Sequence, residues 1–132
     1  MVCCDTTFLV DLIRKNVNAI SKLREFVKND EKLSITVITI AELYYGAYKS
    51  KNVNKELNKV RGTIERFHIL EMDVGSAEKY GEIRAFLENK GVKRSDRDLF
   101  IAAISISHNE RAVVTRNRKD FEKIPGITVI TY

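Results

Sequence analysis

Apolar residues in this chain fall into short blocks whose period changes several times, and each change marks a strand handing over to a helix. Val2 to Cys4 is a brief β-prone run, and Asp5-Thr6-Thr7 leads from it into Phe8, Leu9, Leu12 and Ile13, spaced along one helical face. Val17, Ile20, Leu23, Phe26 and Val27 predict a second amphipathic helix, closed by the polar run Lys28 to Lys32. Leu33 to Ile38 is rich in β-branched residues and reads as a buried strand. From Thr39 the spacing predicts a helix through Glu42, Leu43 and Ala47. A Lys- and Asn-rich loop, Lys49 to Asn54, separates it from a helix carrying Leu57, Val60, Ile64 and Phe67, so the two form a helical hairpin.

Ile69 to Met72 is a candidate short strand, followed by a helix with Ala77, Tyr80, Arg84 and Leu87 on one face and Gly91 as its left-handed stop. Asp98 to His108 is apolar nearly all round, which predicts a helix buried on most sides. Ala112 to Thr115 and Thr128 to Thr131 complete the strands, with Pro125-Gly126 as the turn before the last. Strands alternating with one or two helices predict an α/β fold: a parallel sheet covered on both faces, with right-handed crossovers. Ligands in such sheets bind outside the carboxyl ends of the strands, where Asp5, Glu42 and Thr115 to Asn117 fall.

The length of 132 residues is that of one domain, and no repeat or linker divides it. Lys and Arg number 23 against 18 acids, a net charge of +5, which favours a polyanionic partner; 44% hydrophobic content, ordinary for a globular protein, argues against disorder. The two cysteines, Cys3 and Cys4, are adjacent and would point to opposite faces of a strand, so they read as reduced packing residues of a cytoplasmic protein. The longest uncharged runs, Leu33 to Ala41 and Leu99 to Ser107, fall well short of the ~18 residues of a membrane span. The first residues lack a basic region followed by an apolar one, so no secretory signal is visible.

Against that basic background stand four carboxylates at strand-to-helix junctions: Asp5, Glu42, Asp96 and Asp98. Each has an ordinary explanation. Asp5 could cap the helix after it, and Glu42 could close a capping box opened by Thr39. One of Asp96 and Asp98 could cap the apolar helix and favour its positive end, although two acids exceed what a cap needs. Asn117 and Asp120 could serve a turn. Taken one at a time, the ordinary reading equals function for Asp5, outweighs it for Glu42 and Asp120, and yields to it for the Asp96 and Asp98 pair, but these readings do not explain why each central strand ends in an acid. Carboxylates gathered within a few ångströms repel unless protonated or neutralised, and a hard cation such as Mg²⁺, held by a few carboxylates and waters, neutralises them.

Other chemistries lack an anchor. His68 and His108 pair with no cysteine at metal-ligand spacing, and GxGxxG, P-loop and GxSxG motifs are absent. The aromatics Phe8, Tyr44, Tyr45 and Tyr48 suit core or interface, with Tyr48 an option for base stacking. Lys93, Arg94, Arg97, Arg116, Arg118 and Lys119 bracket the last two acidic segments, a solvated surface by default but also a means of holding a phosphodiester backbone against the acids.

At these residues the chain resembles the PIN domain, and within it the VapC-like toxins of prokaryotic toxin–antitoxin pairs. Cys4-Asp5-Thr6-Thr7 is similar to the family's opening Asp-Thr-Asn or Asp-Thr-Ser, and Ile38-Thr39-Ile40-Ala41-Glu42-Leu43-Tyr44-Tyr45-Gly46 to its second motif. Asp98-Leu99-Phe100-Ile101-Ala102-Ala103 resembles the third and Val114-Thr115-Arg116-Asn117-Arg118-Lys119-Asp120-Phe121 the fourth, all in order over essentially the whole chain.

The resemblance implies a single PIN domain over residues 1–132, a three-layer α/β/α sandwich with a mostly parallel sheet of four to five strands. It implies a Mg²⁺- or Mn²⁺-dependent endoribonuclease hydrolysing RNA phosphodiesters with metal-activated water. Asp5, Glu42 and Asp98 match the metal-site acids, and Asp96 would act through a water. Asn117 stands where the fourth motif often carries an acid. Thr7, Thr115 and Asp120 would orient the carboxylates, and Arg94, Arg97, Arg116 and Arg118 would contact RNA phosphates. A cognate antitoxin, a homodimer and a toxin–antitoxin hetero-oligomer are also implied. The competing readings are a catalytically silent PIN-like module binding RNA or protein, and, more distantly, a flavodoxin-like receiver with an acidic Mg²⁺ pocket.

Overall fold

Val2–Cys4 forms β1, a strand so apolar that all three residues are buried. The computed structural model describes residues 1–132. β1 lies at the centre of an all-parallel sheet with β2 (Leu33–Thr36), β3 (His68–Leu70), β4 (Ala112–Val114) and β5 (Thr128–Ile130), in the order β3-β2-β1-β4-β5. Cys3 pairs with Ser34 on one side and with Val113 on the other, in register. Strand order therefore reverses at β1, which opens a crevice at the carboxyl ends of β1 and β4.

Helices α1 (Thr6–Ile13), α2 (Val17–Lys28), α3 (Val37–Tyr48) and α4 (Val53–Ile64) cover one face, where Phe8, Leu9, Ala19, Phe26, Leu43 and Leu57 pack with Val2, Cys4, Ile35 and Val114. On the other face α5 (Val74–Asn89), α6 (Asp96–Ser107) and α7 (Arg118–Phe121) bring Ile83, Leu87, Leu99, Ile104 and Phe121 against Cys3 and Val113. The three layers match the expected architecture. Strand alternation sends the neighbouring thiols of Cys3 and Cys4 into different cores, and both remain free. α6 is buried along Leu99 and from Ile101 to Ile106, as its all-round apolarity predicts, and α3 and α4 form the expected hairpin.

Gly91, at φ 71°, ends α5 as expected: Val92 N–H returns to Leu87 O at 2.9 Å and Gly91 N–H to Glu88 O at 3.0 Å, which together satisfy the last carbonyls.

Several boundaries differ from the pattern. The second strand stops at Thr36, not Ile38, because the Thr36 hydroxyl accepts the Thr39 N–H and starts α3 at Val37. The third strand is His68–Leu70, earlier than Ile69 to Met72, because Asp73 and Ser76 form a capping box that claims the following residues for α5. In α5 the buried stripe is Ser76, Ile83 and Leu87, while Ala77 and Arg84 face solvent. Val17 and Val27, counted in the apolar face of α2, are 79% and 68% exposed; Ala19 and Phe26 carry the contact. The four-residue α7 was not expected, being too short to show a period.

Candidate functional site

Asp5 directly follows β1 and is 1% exposed. Its N–H donates to Val114 O at 3.1 Å, which extends the ladder to β4 and fixes the backbone. Its Oδ1 accepts the Phe8 N–H at 2.9 Å and the Thr7 hydroxyl at 2.7 Å, so the expected cap of α1 is present. A cap at a helix end is ordinarily solvated, whereas this carboxyl group is buried at the carboxyl end of the central strand. Burial pushes its pKa up to about 6, against hydrogen bonds from Thr115, the Phe8 N–H and Thr7, and the charge of Asp98 adds to the rise.

Glu42 has no capping role. With α3 beginning at Val37 it lies beyond the first turn, and its Oε1 accepts the Thr6 hydroxyl at 2.8 Å while Oε2 pairs with Arg97 Nη1 at 2.5 Å. Nor do acids cap α6: Ser95 is the N-cap, accepting the Asp98 N–H at 3.2 Å, and its hydroxyl donates to Asp98 Oδ2 at 2.7 Å. The Asp98 carboxyl pKa is raised, first by burial, then by the charges of Asp120 and Glu42, against the Ser95 hydrogen bond and Arg97. Asp98 thus links acids spread over 115 positions of sequence, from 5 to 120: its charge acts on Asp5, and those of Glu42 and Asp120 act on it.

Other expected site residues are placed differently. Asp96 is turned away from this group, its Oδ1 accepting the Tyr80 hydroxyl at 2.7 Å with Arg84 Nη1 at 3.5 Å. Asp120, expected only to orient other acids, is the acidic neighbour that acts most strongly on Asp98. Asn117 is exposed at the N-cap position of α7, and its side chain makes no cap hydrogen bond; its N–H donates to Thr115 Oγ1 at 3.1 Å. The Thr7 hydroxyl donates to Asp5 Oδ1 and lies 3.4 Å from the Thr115 hydroxyl.

Of the four arginines expected on phosphate, three are engaged within the protein. Arg94 donates to Lys93 O and Glu122 O, Arg97 pairs with Glu42, and Arg116 pairs with Asp11 at 2.9 Å. Arg118, with Lys93 and Lys119, is exposed. His108 is the C-cap of α6, with Nε2 2.9 Å from Glu71 O, and His68 is exposed, so neither approaches the acids. Sequence reasoning missed Thr6, Asp11 and Tyr132. Asp11 carried one signal, an acid inside the apolar first turns of α1, but its partners lie more than 100 residues away.

No three His, Cys, Asp or Glu side chains converge at ligand distance on one point. The donor set nevertheless fits a hard divalent cation: carboxylate oxygens only, one of them buried, with the charges of Asp98 and Asp120 opposing ionisation of their neighbours. Such charge stress is what a bound cation relieves, and Glu42 meanwhile has its negative charge met by Arg97.

A parallel sheet with a buried acid at its reversal point, and further acids delivered by the helices on either face, is the architecture of the PIN domain family, to which this chain belongs: residues 2–127 match that family. Within it the chain is similar to VapC proteins. The chain is 32% identical to Ribonuclease VapC2 of Rickettsia felis over 93% of its length and 91% of the relative's. It is 39% identical to the tRNA(fMet)-specific endonuclease VapC of Salmonella typhimurium over 79% and 78% of the two chains. The crystal structure of VapBC2 from Rickettsia felis bound to a DNA fragment from their promoter superposes with a TM-score of 0.90 at 30% identity, covering 100% of this chain and 99% of that one.

Proposed function

We propose that this chain, a single PIN domain over residues 1–132, is the endoribonuclease toxin of a toxin–antitoxin pair, and that Asp5, Glu42 and Asp98 carry its chemistry. The observation that carries the reading is the buried Asp5 carboxyl, held at a sheet reversal point by Thr7 and the Phe8 N–H and facing the charge of Asp98, which in turn feels Asp120 and Glu42. A solvated cap or a purely structural acid needs no such company. Asp5, Asp98 and Glu42 would hold Mg²⁺ or Mn²⁺, with Asp120 as a further acid, and the bound cation supplies the charge that activates water and offsets the negative charge growing on the phosphate.

The chain's own groups do the rest. Thr7 and Thr115 keep Asp5 oriented, and Thr6 fixes one oxygen of Glu42. The Asn117 amide, unengaged at the mouth, is suited to hydrogen-bond a water or a phosphate oxygen. Arg118, Lys93 and Lys119 supply positive charge to the RNA backbone, in keeping with the net +5. Arg97, paired with Glu42 here, would add to them if that pair opened. Asp96 is left out of the reacting group because Tyr80 and Arg84 hold it elsewhere.

A partner protein follows from the VapBC likeness: a cognate antitoxin lying over the acidic crevice, in a hetero-oligomer built on a toxin homodimer. Tyr45 and Tyr48, 67% and 62% exposed on α3, provide aromatic surface of the kind interfaces use. A cytoplasmic location fits the two free, buried cysteines.

The test is incubation of purified, antitoxin-free protein with single-stranded RNA and with folded transfer RNA, in Mg²⁺, Mn²⁺ or EDTA, beside Asp5→Asn. The expected result is cleavage that needs metal, leaves 5′-phosphate and 3′-hydroxyl ends, and disappears in the variant. Products ending in 2′,3′-cyclic phosphate, or normal cleavage by Asp5→Asn, would refute it. Two observations favour a second reading, a silent RNA- or protein-binding module: Asn117 stands where an acid is common, and no three ligands converge. Absence of cleavage by the wild type, with activity appearing in Asn117→Asp, would select that alternative.

A further inference from the structure

Arg116 does not reach out from the mouth of the crevice; it folds back. Its guanidinium donates to Asp11 Oδ1 at 2.9 Å, and the side chain of Asp11 is only 6% exposed. The other Asp11 oxygen accepts the Tyr132 hydroxyl at 2.6 Å, and the Tyr132 ring packs edge-on against Phe8 with centroids 5.0 Å apart. A carboxylate buried in the middle of a helix is costly unless its oxygens are met, and here two residues from distant parts of the chain meet both.

The same residue grips the helix a second time. The Arg116 N–H donates to Thr7 Oγ1 at 3.0 Å, and the Thr7 hydroxyl donates onward to Asp5 Oδ1 at 2.7 Å. Side chain and main chain of Arg116 therefore fasten the turn between β4 and α7 to α1 at two points a helical turn apart. That turn carries Thr115 and Asn117, and it leads into α7 with Asp120.

We propose that Asp11, Arg116 and Tyr132 form a clamp that positions the β4–α7 turn and, through Thr7, the Asp5 carboxylate for phosphodiester cleavage. They are positioning residues, and their catalytic consequence rests on the ribonuclease reading above. The assignment is an alternative to a phosphate contact by Arg116, and the two roles separate by sign of charge. A phosphate-binding Arg116 would act alone, and neutralising Asp11 would leave RNA binding equal or stronger. A clamp makes the two residues equivalent, although one is acidic and the other basic.

The experiment compares the wild type with Asp11→Asn, Arg116→Gln, the double variant and Tyr132→Phe. Cleavage of single-stranded RNA is followed with Mn²⁺, and RNA binding in EDTA across a range of salt. Asp11→Asn and Arg116→Gln are expected to lower kcat by a similar factor, about 10- to 100-fold, as small displacements of a reacting group do. KM should stay within about twofold, and the double variant should be no worse than the poorer single one, because both break the same device. Tyr132→Phe, which removes one hydroxyl and folds most safely, should lose kcat by about 3-fold or more with KM unchanged. A raised KM and a salt slope reduced by about 0.7 in Arg116→Gln, with Asp11→Asn fully active, would overturn the clamp in favour of a phosphate contact. If the wild type cleaves no RNA, the ribonuclease reading falls by itself and amide hydrogen exchange decides the clamp. The Arg116 amide should exchange about 10-fold faster or more in Asp11→Asn than in wild type, and equal rates would overturn it.

Discussion

Replacing Asp5 by Asn should make the metal-free protein more stable at the pH where it is expected to lose its activity. A carboxyl group that ionises near 6 in the folded protein, against 3.8 for the unperturbed group, resists carrying charge in place. Each tenfold change in that ionisation equilibrium is worth about 1.4 kcal/mol, so the ionised group costs the folded state about 3 kcal/mol. Because the folded value lies above the unfolded one, the contribution favours folding below pH 3.8 and is lost as pH rises through 6. Asn removes the charge but keeps an oxygen for the Phe8 N–H and the Thr7 hydroxyl, and it is itself a good cap. For 132 residues the unfolding entropy is about 0.28 kcal/mol per degree, so the gain at pH 7.5 corresponds to roughly 10 °C in Tm. Thermal and urea unfolding of both proteins in EDTA from pH 4 to 8 would measure it. The gap should be widest above pH 7 and vanish near pH 4. A variant that is equally or less stable at pH 7.5 would refute the reasoning, and would mean that Asp5 is a helix cap and nothing more.

Two further outcomes can be measured on the same proteins. Phe8→Ala, which empties a fully buried ring site between Phe26 and Tyr132, should lower unfolding free energy by about 3–5 kcal/mol in urea denaturation; a loss under 1 kcal/mol would show that this core is not close-packed. Arg97→Gln frees Glu42 from a surface ion pair worth about 0.2–1 kcal/mol, so calorimetry should find Mn²⁺ binding tightened by about 1.4- to 5-fold, whereas unchanged or weakened binding would show that Arg97 does not compete with the cation.

The architecture was largely legible because each strand is an apolar run and each helix an apolar stripe, and those periods survive folding. Asp5 and Asp98 could be placed from their junction positions alone. What failed were local caps and features decided by a partner distant in sequence. Thr36 and Asp73 moved two element boundaries by capping, which a propensity for strand in Val37 and Ile38 or in Glu71 and Met72 does not report. Asp96 and Asp98 look alike in sequence; only the packing of Tyr80 and Arg84 from α5 draws one aside. Arg94, Arg97 and Arg116 read as surface charge until the groups they pair with came into view, and Asp11 gave no sign of why an acid should be buried between Val10 and Leu12.

The central position of β1 has a consequence for when the enzyme can act. Cys4 pairs with Val114, 110 residues later, and Asp5 is fixed by the carbonyl of that same Val114. During synthesis the middle of the sheet stays open until β4 has been made, and closing so long a loop is slow compared with forming the local helices. The acids are therefore scattered along an unfinished sheet until Val114 has joined it. A nuclease wired in this way has no working centre while its first hundred residues are being made, so its chemistry is the last part of the fold to be assembled.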